Sequence, residues 1–198
     1  MRRNKTETAA TRVKIIAAAR AEFSRNGIDG SGLTALMAAA GLSQGGFYKH
    51  FESKAQLVAE TTTAAVDDQI TQLQEKAAQA GPGGAFKSSV KGYLCEEHRD
   101  GETGCPYAAL GSELARGDQH VKTSAVAGFE RMIELLSGQI EDVAQVSTRD
   151  QALLAMCAMM GALTVSRLAK GEPLSQEVLT VVTRQLLERN ADAASAND

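Results

Sequence analysis

The chain has 198 residues, of which 43% are hydrophobic and 23% charged, with a net charge of −3. That balance excludes fibrous, low-complexity and disordered chains and predicts a soluble domain with a buried core. No apolar run approaches the roughly 20 residues that cross a bilayer, and the N-terminal MRRNKTETAATRVK enters a helical pattern without an apolar signal core. A cytoplasmic protein with no membrane contact is therefore expected. Ala-rich runs, only three prolines and few β-branched stretches favour helix, because alanine loses no side-chain entropy there, so the predicted class is all-α. Cys95, Cys105 and Cys157 are odd in number and never spaced CxxC, which suggests neither a disulfide framework nor a zinc knot.

Charge divides unevenly. Residues 1–54 carry nine Lys/Arg against four acids, a net of +5, and the remainder carries a net of −8. A basic head on an acidic body suits a protein whose one end meets a polyanion, although uneven solvated faces give the same count.

In chain order, Ile15, Ala18, Ala19 and Phe23 form one apolar stripe on a helix from Thr8 to about Asn26, stopped by Gly27. Ser31 reads as the N-cap of a short helix with Leu33, Leu36, Met37 and Ala40 on its apolar face, and Gly41 ends it. Ser43 caps a third helix, Gln44 to about His50, too short to stand without tertiary packing. Two short helices joined by a Gly-containing turn constitute a helix-turn-helix unit. Ser53 caps a long helix from Lys54 to about Ala80, broken by Gly81 to Gly84. Helices follow from Phe86 to Arg99, from Pro106 to Arg116 and from Asp118 to about Val146. The last two, about Thr148 to Lys170 and Pro173 to about Arg189, are rich in leucine, valine and methionine. The first of them is apolar over more than half its circumference. Such a helix is buried on two sides, against its own domain and against a second subunit, with Gly161 and Ala162 permitting close approach; a central helix in a monomeric core is the alternative. Residues 191–198 read as a disordered tail.

The run from Gly41 to Lys54, GLSQGGFYKHFESK, together with Thr11-Arg12, Ile15, Ala18-Ala19, Phe23 and Gly27, resembles the DNA-binding domain of the TetR family of bacterial repressors. The resemblance covers about the first 60 residues. It implies an N-terminal three-helix helix-turn-helix domain (1–54) and a C-terminal helical ligand-binding and dimerisation domain (55–190). It also implies a non-enzymatic homodimeric repressor, without cofactor, on a palindromic double-stranded DNA operator. The expected DNA-binding residues are Ser43, Gln44, Gly45, Gly46, Tyr48, Lys49, His50 and Lys54. Gln44 can pair bidentately with adenine, and Lys49 or His50 can donate to guanine or phosphate. Tyr48 matches the family's phosphate-binding tyrosine, and Lys54 joins its charge to free N–H groups at a helix start. Gly45 and Gly46 depart from many family members, which carry larger side chains there.

The family also implies an inducer pocket in the middle helices. The apolar set Phe86, Tyr93, Tyr107, Leu110, Phe129 and Met132 suits a small hydrophobic ligand. A second signal input is Cys105, at a predicted helix N-terminus where the dipole lowers a thiol pKa, the chemistry of a redox or electrophile sensor. Cys95 and His98 could join Cys105 around a metal, but no fourth ligand is evident and no metal site is expected. Against an enzyme or a non-DNA-binding adaptor, there is no GxSxG, HExxH or Gly-rich phosphate loop, and Tyr48 and Lys54 are both present.

Overall fold

The computed structural model describes residues 2–101, 104–141 and 147–195, and every regular element among them is helical. These are α1 (Arg2–Gly30), α2 (Leu33–Ala39), a 3-10 segment (Gln44–Lys49), α3 (Lys54–Gln79), α4 (Ala85–Tyr93), α5 (Glu96–Asp100), α6 (Pro106–Arg116), α7 (Gln119–Ser137), α8 (Thr148–Leu168) and α9 (Pro173–Ser195).

The head follows its sequence punctuation closely. Gly27 interrupts α1 at φ 75°, a conformation that costs glycine nothing and other residues a clash. Ser31 does not cap α2: Gly32 holds the N-cap position, and the buried Ser31 hydroxyl donates instead to the Gly27 carbonyl at 2.6 Å. The apolar stripe of α1 closes on α2, the 3-10 segment and the start of α3. Ile15, Phe23, Leu36, Met37, Phe47, Phe51 and Leu57 are each at most 2% exposed. Full burial of one such side chain stabilises by about 1.5–3 kcal/mol, so this cluster, rather than local propensity, holds the two short elements in place.

In the body, α3 packs against α7 and α4, while α8 packs against α9, α7 and α6. Three helices differ from their expected extents. The Phe86–Arg99 helix is split, because Leu94 leaves helical geometry (ψ 51°) and Cys95 is extended before α5 begins. Side chains satisfy the freed backbone, with the Cys95 thiol donating to Gly92 O and the His98 ring reaching Tyr93 O. The Asp118 helix ends at Ser137 with Gly138 as its C-cap, and residues 142–146 of its expected extent lie outside the described residues. Helix α9 runs on to Ser195, five residues into the segment expected to be a disordered tail; residues 196–198 are outside the description.

Helix α8 has two apolar faces. Ala152, Ala155, Met156, Met159, Ala162 and Leu163 are buried in the core, and Leu153, Leu154, Cys157, Val165 and Leu168 are exposed. Contrary to the sequence expectation, its 21 residues are long and apolar enough to span a bilayer. Its inner face is nevertheless taken up by α6, α7 and α9, as befits a helix of a protein core.

Candidate nucleic-acid interface

The turn between α2 and the 3-10 segment is fixed by backbone bonds that local sequence dictates. Gly41, at φ 69°, donates to Ala38 O and Leu42 N donates to Met37 O, both at 2.8 Å. This is the paired closure that a left-handed glycine allows after a helix. Ser43 then takes the N-cap position, its carbonyl accepting from Gly46 N at 3.0 Å while its hydroxyl makes no capping bond. What was expected as an α-helix from Gln44 to His50 is a tighter 3-10 segment over Gln44–Lys49. Phe47 is its anchor, fully buried, with Phe51 stacked at 5.6 Å and Tyr48 edge-on at 5.2 Å between ring centroids.

With Phe47 turned inward, Ser43, Gln44, Gly45, Tyr48 and Lys49 are left exposed, and Gly46 and His50 are half-buried. The Tyr48 ring is 69% exposed, so its hydroxyl is presented to solvent. Gln44 is not loose: Thr34 donates to its Oε1 at 2.8 Å, which turns the amide NH₂ outward. Neither Gly45 nor Gly46 has a positive φ, and an added Cβ would meet nothing within 4 Å at Gly45 and only Met37 Cε at 3.6 Å at Gly46. The fold therefore tolerates side chains at both positions, and the glycines leave bare backbone on the exposed face at a cost of about 1 kcal/mol each relative to alanine. Gly45→Ala is expected to stabilise the head by up to about 1 kcal/mol while changing its DNA binding. Urea unfolding and an anisotropy titration on the same variant check both halves, and unchanged DNA binding would remove Gly45 from the interface.

Lys54 stands apart from this set. Its half-buried ammonium donates to Ile28 O, beside the C-terminal end of α1, so it ties α3 to α1 in addition to any phosphate role. Sequence reasoning also missed the clamp behind the segment. Arg12 pairs with Glu60 on α3 through two nitrogens, donates to His50 O, and lies 4.2 Å over the Phe51 ring. Thr34 and Gln56 were likewise missed. Gln56 N donates to Ser53 Oγ at 3.1 Å and Gln56 Oε1 accepts from Glu52 N at 2.7 Å, and the S-x-x-Q spacing that announces a capping box was legible.

Residues 15–61, which contain this turn and most of its supporting core, match the family model of bacterial regulatory proteins of the tetR family. The head of the chain is thus similar to the DNA-binding region of the TetR family. Among curated protein sequences none matches it. Solved structures match over nearly the whole chain. NemR of E. coli in its reduced form has a TM-score of 0.73 at 19% identity, covering 88% of this chain and 96% of that one. A TetR-family transcriptional regulator from Agrobacterium tumefaciens has a TM-score of 0.71 at 19% identity, covering 92% and 98%. FadR of Bacillus subtilis, solved in complex with stearoyl-CoA, has a TM-score of 0.72 at 14% identity, covering 88% and 96%. At these identities the likeness is one of fold: a helix-turn-helix head followed by a helical body.

In the helical body three of the expected ligand residues line separate cavities. Tyr93 lines a cavity between α3 and α5, Leu110 one between α1, α3 and α6, and Phe86 a third between α8 and α9. Tyr107 donates to Ala125 O at 2.8 Å and packs edge-on against Phe129 at 5.4 Å, while Met132 is fully buried core. Cys105 does precede α6, but it is 1% exposed, and burial pushes its thiol pKa up, against the smaller lowering by the Tyr93 hydroxyl and nearby backbone N–H groups. The expected activated thiolate is thus corrected: desolvation outweighs the helix end. Cys157 is exposed on α8.

Burial also lowers the pKa of His98, opposed by its bond to Tyr93 O and reinforced by Arg167, Lys76 and Arg20. Since the unfolded state then takes the proton first, stability is at full value above the ordinary histidine pKa of about 6.5 and declines as pH falls from there towards the lowered folded-state value. Urea unfolding at pH 7.5 and 5.5 is expected to give a smaller loss on acidification for His98→Gln than for the parent. An equal loss in both would contradict the assignment.

Proposed function

We propose that the protein is a homodimeric repressor that reads a palindromic operator with the 3-10 segment of each protomer and lets go when a small molecule binds its helical body. The reading is carried by one observation: a two-turn element held rigid from behind by Phe47 and Arg12 presents Ser43, Gln44, Gly45, Tyr48 and Lys49, with Gly46 and His50 at its edge, on a basic head. Gln44, its outward NH₂ positioned by Thr34, is a base reader, Tyr48 and Lys49 contact phosphate, and the bare backbone at Gly45 and Gly46 permits close approach to the groove. The dimer forms through the outer faces of α8 and α9, where Leu153, Leu154, Val165, Leu168, Leu174 and Val181 are between 38% and 88% exposed. Twofold symmetry of the protein then dictates a symmetric operator with half-sites about one helical turn apart.

Residues 1–54 serve as the reading head and 55–190 as the sensing and dimerising body. Their junction supplies the coupling. Glu113 on α6 accepts from Asp29 N at 3.0 Å, Lys54 binds Ile28 O, and α1 packs on α6. A shift of α6 or α3 in the body therefore moves the head, and a ligand that prefers the shifted state releases DNA in proportion to that preference.

Anisotropy titrations of Tyr48→Phe and Gln44→Ala on operator and random duplexes test the assignment of roles. Tyr48→Phe is expected to weaken both duplexes alike by several-fold, and Gln44→Ala to cost the operator about 1–3 kcal/mol while sparing random DNA. A sequence-selective loss for Tyr48→Phe, or unchanged selectivity for Gln44→Ala, would overturn the corresponding role.

A further inference from the structure

Gln44 opens the 3-10 segment on its exposed face, and its side-chain amide is already engaged. The Thr34 hydroxyl, on the exposed side of α2, donates to Gln44 Oε1 at 2.8 Å. Among the described residues this is the one hydrogen bond that the Gln44 side chain makes, and Gly45 and Gly46, which follow it, have no side chains to hold it. The oxygen and the nitrogen of an amide leave the same carbon in divergent directions, so a carbonyl turned towards α2 turns the NH₂ away from it. What Gln44 then presents without a partner is a pair of N–H donors.

The base edges of the major groove differ in what they offer such a group. Guanine presents two acceptors, N7 and O6, whereas adenine presents the N7 acceptor beside the N6 amino donor. Thymine presents one acceptor and cytosine a donor. A glutamine with a free amide pairs with adenine by giving an N–H to N7 and taking one from N6, which uses both ends of the amide. Here Thr34 occupies the Oε1 end, and the adenine amino group would have to share or displace that hydroxyl. Guanine accepts from the NH₂ with the Thr34 bond intact.

We infer that Thr34 is a specificity-determining residue of the DNA interface, and that the Thr34–Gln44 pair makes Gln44 a reader of guanine rather than of adenine. The inference rests on the reading of Gln44 as a base contact and names the base. It replaces the adenine pairing that the residue type alone suggested. Thr34 acts by positioning and need not touch DNA itself. Its bond also holds the glutamine in one orientation before DNA arrives, so less side-chain freedom is lost on binding.

The test is selection of duplexes from a random pool by the full-length protein and by its Gln44→Ala, Thr34→Val and Thr34→Ser variants. Gln44→Ala locates the base pair, as the position at which preference disappears. There the parent protein is expected to choose guanine over adenine by about tenfold. Thr34→Val, which keeps the branched shape and removes the hydroxyl from an exposed site, should shift that choice to adenine, and Thr34→Ser should keep guanine. On random duplexes Thr34→Val should bind as the parent does, whereas a phosphate contact by Thr34 would weaken every duplex and leave the base choice unchanged. Adenine at that position in the parent's sequence, or a choice that Thr34→Val leaves unchanged, would overturn the inference while Gln44 remained a base reader. A Gln44→Ala variant that loses preference nowhere would overturn the base-reading role itself and the inference with it, so the two failures are told apart.

Discussion

Phe47→Ala is expected to abolish DNA binding while leaving the helical body folded. Phe47 is the one side chain of the 3-10 segment that is fully buried, and it joins the segment to Phe51 and to the α1–α2 core. Truncating a buried phenylalanine costs about 3–5 kcal/mol, the sum of lost burial and the cavity left behind. A two-turn segment has no stability of its own to set against that loss. The cost should therefore appear as local unfolding of residues 43–50 and a fall of more than roughly 10 °C in the head's melting temperature. Far-UV circular dichroism and an anisotropy titration on the same sample separate the two effects. Retained DNA affinity would mean that the segment is not the reading element.

Gly161→Arg is expected to convert the proposed dimer to a monomer and to lower operator affinity by about two orders of magnitude or more. A Cβ at Gly161 meets nothing within 4 Å, so the protomer accommodates a large side chain, and arginine is the better helix former. The substitution sits on the outer surface of α8 among Cys157, Val165 and Leu168, where a second protomer would meet a buried, unpaired charge. A monomer must then bind each half-site alone and forfeits the linkage that multiplies affinity by roughly 10²–10⁴. Sedimentation velocity reads the oligomeric state directly. A variant that remains dimeric would move the interface off this face.

How much of this was legible in the sequence depends on the range of the interactions concerned. Gly27, Gly41 and Ser53 punctuate the head where the structure does, because a positive φ and an N-cap hydroxyl are local requirements. The apolar stripe Ile15, Ala19 and Phe23 is buried as its spacing predicts, and the two-sided character of α8 follows from its composition. What local pattern could not supply is set by partners far along the chain. Arg12 reaches Glu60, 48 residues away, and Glu113 reaches Asp29, 84 residues away; these contacts fix the head on α3 and α6. Arg167 donates to Arg99 O and His98 O across 68 and 69 residues, supporting a break at Leu94 that helical periodicity runs straight through. Cys105 illustrates the same limit, since its place before a helix is local while its burial beneath Tyr93 and Tyr107 is tertiary, and the burial wins.

Selection of bound duplexes from a random DNA pool by the full-length protein tests the central claim most directly. Symmetric recognition by two heads predicts an enriched sequence with twofold symmetry, lost when Gly161→Arg or Phe47→Ala is used in its place. No enriched sequence, or an enriched sequence without symmetry, would contradict the account of the protein as a dimeric reader of an operator.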